Sequence, residues 1–193
     1  LGYAQVNAMS VSFSGELAYE LHIPNAQLYL VWQLLQSAGQ TFHLSKFGLY
    51  ATESMRLEKG YLHWKAEIID EFNPIEAGLD RFVKLDKPDF IGKQALLADL
   101  ESGPRQRLVT LEVSCDFAAA HGGDPVIHHG QQVGVVTSGG YGHRVAKNLA
   151  YAYVDAAVAI IGGHFKVSII GQVCDAMVVE PCLYDPANLK PRS

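Results

Sequence analysis

The chain has 193 residues, of which 49% are apolar and 18% charged, with 15 lysines and arginines against 20 aspartates and glutamates. That composition is ordinary for a folded globular protein, and no apolar run approaches the length needed to span a bilayer, so neither disorder nor a membrane class is expected. The net charge of −5 argues against nucleic acid as a partner, because phosphate binding needs a basic surface.

In chain order, the first pattern is SFSGELAYELHIP over residues 12–24. It alternates, with Leu17, Tyr19, Leu21 and Ile23 on one face and Glu16, Ala18, Glu20 and His22 on the other, as a strand with one apolar side would. With the weakly alternating stretch before it, the pattern predicts two antiparallel strands around Ser14 and Gly15. AQLYLVWQLLQSAG follows at helical spacing, with Leu28, Val31, Trp32 and Leu35 on a stripe, Asn25 as the N-cap and Gly39 as the stop. A second helix is expected from Leu49 to Lys59, ending at Gly60. The aromatic and polar stretch after it, interrupted by Pro74, predicts a long ordered loop, a kind of segment that often carries function. FIGKQALLADLESG predicts a third, short helix.

Gly103 and Pro104 mark the expected domain boundary, giving units of residues 1–103 and 104–193. Beyond it, short β-branched segments alternate with glycine-containing turns, which predicts a small all-β barrel or sandwich. The fold class is therefore α+β, with no βαβ alternation to indicate a dinucleotide fold. TSGGYGH lacks the spacing of a phosphate loop and is expected to be a hairpin turn. The adjacent pair His128 and His129 would point to opposite faces of a strand, so no metal site is expected. Cys115, Cys174 and Cys182 show no CxxC spacing and read as reduced and buried, hence intracellular.

Two stretches carry chemistry. Glu16 and Glu20 share a face, and their partner is water, a cation or a ligand with donors to offer. In MRLEKGYLHW, Arg56 has Glu53 at i−3, which makes a structural ion pair available. The following Tyr61, His63 and Trp64 are suited to sandwiching a planar heterocycle, or to simple packing.

These residues also carry a resemblance. GELAYELHIP, SMRLEKGYLHWKAE, NPIEAGL and DFIGKQAL, followed by VGVVTSGGYG, KNLAYAYV and YDP, resemble the aminomethyltransferase family, the glycine cleavage T-protein and its relatives. Within it, the wording is most similar to the C-terminal folate-binding region of sarcosine and dimethylglycine dehydrogenases. The resemblance implies part of an α/β folate-binding domain over residues 1–103, then a small antiparallel β-barrel domain. It implies tetrahydrofolate as the cofactor, with FAD involved only if an oxidoreductase domain lies upstream, and a small amine-derived one-carbon donor as the other partner. Glu16 is implied as the pterin contact, since one carboxylate can accept from a ring N–H and an exocyclic amino group side by side. Arg56 is implied as a second folate contact, with Tyr19, Tyr61 and Trp64 lining the site. The aspartate that orients the one-carbon chemistry in the family lies upstream of the GE strand and has no counterpart here. Neither Asp70 nor Asp80 replaces it, so no catalytic residue is assigned. The chain is thus expected to be the C-terminal portion of a longer enzyme, inactive alone and lacking the N-terminal half of its parent. The alternative is a non-catalytic folate-binding or regulatory protein of the same fold. A cytoplasmic location is expected, or the mitochondrial matrix in a eukaryote.

Overall fold

In the computed structural model, residues 4 to 192 are described. The chain runs from a small hairpin through three helices and a long irregular loop into a closed antiparallel barrel.

The first expected strand is shorter than its alternation indicates. Strand β1 (Asn7–Met9) pairs with β2 (Glu20–His22), and residues 13–17 between them form bends. Glu16 therefore lies on an irregular arm, not on a strand face shared with Glu20. Among the described residues the hairpin is a two-stranded sheet of its own, and so small a sheet does not hold the alternating run in an extended ladder.

Helix α1 (Asn25–Gly39) forms as expected, but Asn25 is its first helical residue and Pro24 precedes it with no side-chain cap. The chain continues helical through Gly39 into a short 3-10 turn and stops at His43, which is left-handed. Its apolar stripe is mostly uncovered: Val31 is buried, whereas Leu28, Trp32 and Tyr29 are exposed. Helix α2 (Leu49–Lys59) ends at Gly60, whose positive φ of 78° allows its N–H to return to the carbonyls of Arg56 and Leu57. Residues 61–79 are the ordered loop, with turns and one isolated bridge between Trp64 and Ile68. Helix α3 (Lys93–Ser102) follows.

The barrel is built from β3 (Gln106–Ser114), β4 (Pro125–His128), β5 (Gln131–Gly142), β6 (Lys147–Asp155), β7 (His164–Ile169) and β8 (Gln172–Val179). Around the barrel the order is β3-β6-β5-β4-β7-β8, closing on itself. Closure removes the unpaired edges that an open sheet would expose. Its interior is filled by β-branched and small residues, among them Val109, Leu111, Val126, Val136, Val154, Val167 and Ile169.

TSGGYG is strand and not turn. It forms the second half of β5 beyond a bulge at Thr137, and the actual turn spans His143 to Ala146. The glycines are there because the neighbours come close. A Cβ on Gly139 would lie 2.4 Å from the carbonyl oxygen of Ala120, and one on Gly142 would lie 2.8 Å from Cγ of Glu58. A side chain at Gly142 would hold α2 away from β5, the strand on which it packs.

Candidate functional site

The last turn of α2 buries four consecutive residues, Arg56, Leu57, Glu58 and Lys59. Consecutive positions point to different sides of a helix, so burying all four requires structure on every side. Each of the three charged residues meets an opposite charge on a different part of the chain. Arg56 reaches Glu67 of the long loop, Glu58 reaches Arg144 of the β5–β6 turn, and Lys59 reaches Asp185 of the C-terminal tail.

The Arg56 cluster is sealed. Its Nε donates to Glu53 at 2.6 Å and its Nη1 donates to Glu67 at 3.0 Å and to the Tyr61 carbonyl at 3.2 Å. Glu67 is fully buried and also accepts from the His63 N–H at 2.7 Å, Thr137 at 2.8 Å and Ser138 at 2.5 Å. Above them, the Tyr151 ring lies 5.5 Å from the Arg56 guanidinium and donates its hydroxyl to the Leu57 carbonyl. Burial raises the Tyr151 pKa against the lowering effect of Arg56, so this phenol stays a donor.

The Arg144 cluster is open on one side. The Glu58 carboxylate, with no exposure, accepts from the backbone N–H of Arg144 and Val145 and from the Arg144 guanidinium. Arg144 also donates to the Met55 carbonyl at 2.6 Å and to Glu16 at 2.8 Å. Burial works against the Arg144 charge, and Glu58 and Glu16 more than offset it, so its pKa is raised. Tyr184 completes the group: its ring lies 3.7 Å below the guanidinium, and its hydroxyl donates to Glu16 at 2.6 Å. Both contacts fall on Oε1 of Glu16, and Oε2 has no hydrogen-bond partner among the described residues. The Tyr184 hydrogen bond, aided by Arg144 and opposed by desolvation, lowers the Glu16 pKa. With its side chain 41% exposed, Glu16 is an ionised carboxylate held in place on one oxygen and open on the other.

The five residues singled out from the sequence do not form one cluster. Glu16 sits in the open network and Arg56 in the sealed one. The guanidinium of Arg56 is 1% exposed and engaged by protein groups. Tyr61 lines a groove of about 560 Å³ at the seam between α2, the long loop and the barrel, with Lys59, Arg81, Tyr151 and Cys182. Tyr19 and Trp64 are 63% and 67% exposed and line neither that groove nor its smaller neighbour beside Phe13. Glu20, 3.5 Å from His22, stands apart on β2. Sequence reading missed Arg144, Tyr184, Glu58 and Glu67. Glu58, Glu67 and Tyr184 stand within quoted motifs and Arg144 just outside one, yet no local pattern shows that a turn arginine meets a carboxylate 128 positions away.

Comparison with known proteins bears on this arrangement. A family model described as the GCVT N-terminal domain matches residues 1–87, and one described as the glycine cleavage T-protein C-terminal barrel domain matches residues 106–185. The chain belongs to the glycine cleavage T-protein, or aminomethyltransferase, family. Among its relatives, mitochondrial dimethylglycine dehydrogenase of Mus musculus is 38% identical over 96% of this chain and 22% of that protein. An aminomethyltransferase of Caldanaerobacter subterraneus subsp. tengcongensis is 34% identical over 89% of this chain and 46% of that protein. The crystal structure of the glycine cleavage system aminomethyltransferase T from Bartonella henselae superposes with a TM-score of 0.82 at 26% identity, covering 93% of this chain and 50% of the other. The chain thus spans about a fifth of the dehydrogenase and about half of the aminomethyltransferases. Among the described residues, no helix is long and apolar enough to cross a membrane.

Proposed function

We propose that this chain supplies part of a tetrahydrofolate site for one-carbon transfer, with Glu16 as its pterin contact. Glu16 carries the reading: its carboxylate is ionised, fixed by Arg144 and Tyr184 on Oε1, and without a partner on Oε2 among the described residues. A pterin edge offers adjacent N–H donors, and an oriented carboxylate oxygen with free lone pairs is the acceptor such an edge needs. The residues present fit that group at this point. Tetrahydrofolate, when bound, supplies the nitrogens that accept the one-carbon unit.

The chain's own residues would orient and hold. Glu16 sets the direction of the pterin edge, and Arg144, itself anchored by Glu58, sets Glu16. Tyr19 and Trp64 are exposed over most of their surface, as a stacking partner needs before ligand arrives, and Tyr61 lines the seam groove. Arg56 would act indirectly, by fixing the loop that carries Tyr61 and Trp64 through Glu67 and the Tyr61 carbonyl. Orientation and charge of this kind lower a transfer barrier without a covalent protein intermediate. The names of the relatives, dimethylglycine dehydrogenase and aminomethyltransferase, support an amine-borne one-carbon unit as the donor class.

Isothermal titration with 5-formyltetrahydrofolate, a stable reduced folate, tests the assignment on the wild-type chain and on Glu16→Ala. The expected loss is about 1.5 to 3 kcal/mol, the range for a hydrogen bond to a charged group. Equal affinity of the two would remove Glu16 from the site, and absence of binding by the wild type would overturn folate binding by this chain on its own.

A further inference from the structure

The three cysteines are unbridged, and two of them face each other. Strands β3 and β8 pair with Val113 opposite Ala176 and Ser114 opposite Asp175. Continuing that register by one residue sets Cys115 opposite Cys174. The burial pattern agrees: Val113, Ala176 and Cys174 are buried, Ser114 and Asp175 are exposed, and Cys115 packs against the barrel core. Both thiols therefore lie on the inner side at the end of the β3–β8 seam. Directly opposed residues of an antiparallel pair have Cβ atoms about 4.5 to 5.5 Å apart, and a disulfide needs about 3.5 to 4.5 Å. The remaining approach is small, and it falls just beyond the Ser114–Asp175 pair that ends the ladder, where the chain leaves β3.

We propose that Cys115 and Cys174 form an oxidation site, which a peroxide converts to an intramolecular disulfide closing the β3–β8 seam. Cys115, partly exposed at the open groove formed with Glu112, Asp116 and Lys147, is the entry point. Its thiolate attacks one peroxide oxygen, the O–O bond breaks, and the leaving oxygen departs as water after protonation, giving a sulfenic acid. The Cys174 sulfur then attacks the Cys115 sulfur. The S–O bond breaks, a second water leaves, and the S–S bond forms. Two thiols are oxidised by two electrons in total, and one peroxide is reduced to two waters. Burial, the first cause, and the neighbouring Cys115 push the Cys174 thiol up to about 11, so Cys174 keeps its proton while peroxide reacts at Cys115 and gives it to the departing oxygen of the sulfenic acid as its sulfur attacks. Cys182 lies outside this pair and donates its thiol to the Tyr184 carbonyl.

The test is treatment of the chain with equimolar hydrogen peroxide, alkylation of remaining thiols, and peptide mapping by mass spectrometry. The expected result is a dithiothreitol-reversible link between the peptides holding Cys115 and Cys174, with Cys182 still alkylated and the chain monomeric on a non-reducing gel. Cys115→Ser, at the strand end, should keep the barrel fold by circular dichroism and abolish the link. Cys174→Ser should leave Cys115 as a sulfenic acid that dimedone traps. Three alkylated cysteines after oxidation, a link that includes Cys182, or covalent dimers in place of the internal link would each overturn the proposal.

Discussion

Two arginine and carboxylate networks flank the same helix turn, and they differ in closure. Around Glu67, four hydrogen bonds come from Arg56, the His63 N–H, Thr137 and Ser138, and none of its surface reaches solvent. Around Glu16, two bonds fall on one oxygen and 41% of the side chain is open. A buried carboxylate whose acceptors are filled by protein groups has nothing left to offer a ligand, so the first network ties the long loop to α2 and β5. A carboxylate held on one oxygen keeps acceptor capacity on the other for a donor from outside. An expected site arginine and an expected site glutamate thus belong to different networks around one helix turn, Arg56 to the closed one with Glu67 and Glu16 to the open one through Arg144 and Glu58.

Breaking the sealed network should have the largest effect. Glu67→Ala leaves Arg56 in a buried position with its charge balanced only by Glu53, and leaves the His63 N–H, Thr137 and Ser138 without their acceptor. Removing one partner of a buried pair costs about 3 to 5 kcal/mol. Urea denaturation should show the midpoint falling accordingly, and Glu67→Gln, which keeps an acceptor but not the charge, should recover part of the loss. A shift no larger than that of a surface substitution would show that the network is not closed.

The sequence made the barrel legible because its strands are short, β-branched and bounded by glycine, and a closed barrel needs no partner to satisfy them. The helices α1 and α2 were equally legible from periodicity and from Gly60. The strand expected at residues 12–24 was not, because alternation describes a surface half buried against something, and the described residues provide little for it to rest on. TSGGYG misled for a related reason: glycine in a strand, placed there for the close approach of Glu58 and Ala120, looks the same as glycine in a turn. Glu16 and Arg56 stood out by their motifs. Their true partners, Arg144, Tyr184 and Glu67, come from segments that only the closed fold brings together.

Tyr184→Phe sharpens the contrast from the open side. It removes one hydrogen bond to a half-exposed carboxylate, so stability should fall by no more than about 1 kcal/mol. The Glu16 carboxyl, however, should titrate higher, because the Tyr184 bond is the largest influence holding it down. The sign follows: a depressed carboxylate contributes stability that is present above its unfolded pKa and is lost as pH falls through the folded one. Carboxyl-carbon NMR should place the Glu16 titration closer to 4.5 in the variant. An unmoved titration would mean that Arg144 alone fixes the carboxylate.

The smallest effect is expected at the third charged contact of the α2 turn. Asp185 accepts from Lys59 at 2.8 Å and from the Leu189 and Lys190 N–H groups, and the Lys59 hydrogen bond leads in lowering its pKa from 3.8 to about 2. Its contribution is therefore complete above about pH 4 and disappears as pH falls toward 2. Asp185→Asn should flatten the acid side of the stability profile over that interval. At neutral pH, where that contribution is complete, it should lower stability by what the wild type loses between about pH 4 and pH 2, and by less than Glu67→Ala, since Lys59 keeps its bond to the Asp185 carbonyl at 2.7 Å. Thermal unfolding of both chains from pH 7 to pH 2 measures this directly. If Asp185→Asn instead destabilised the protein at pH 7 as strongly as Glu67→Ala, the tail contact would belong with the sealed network, and closure around the α2 turn would extend to the C-terminal tail.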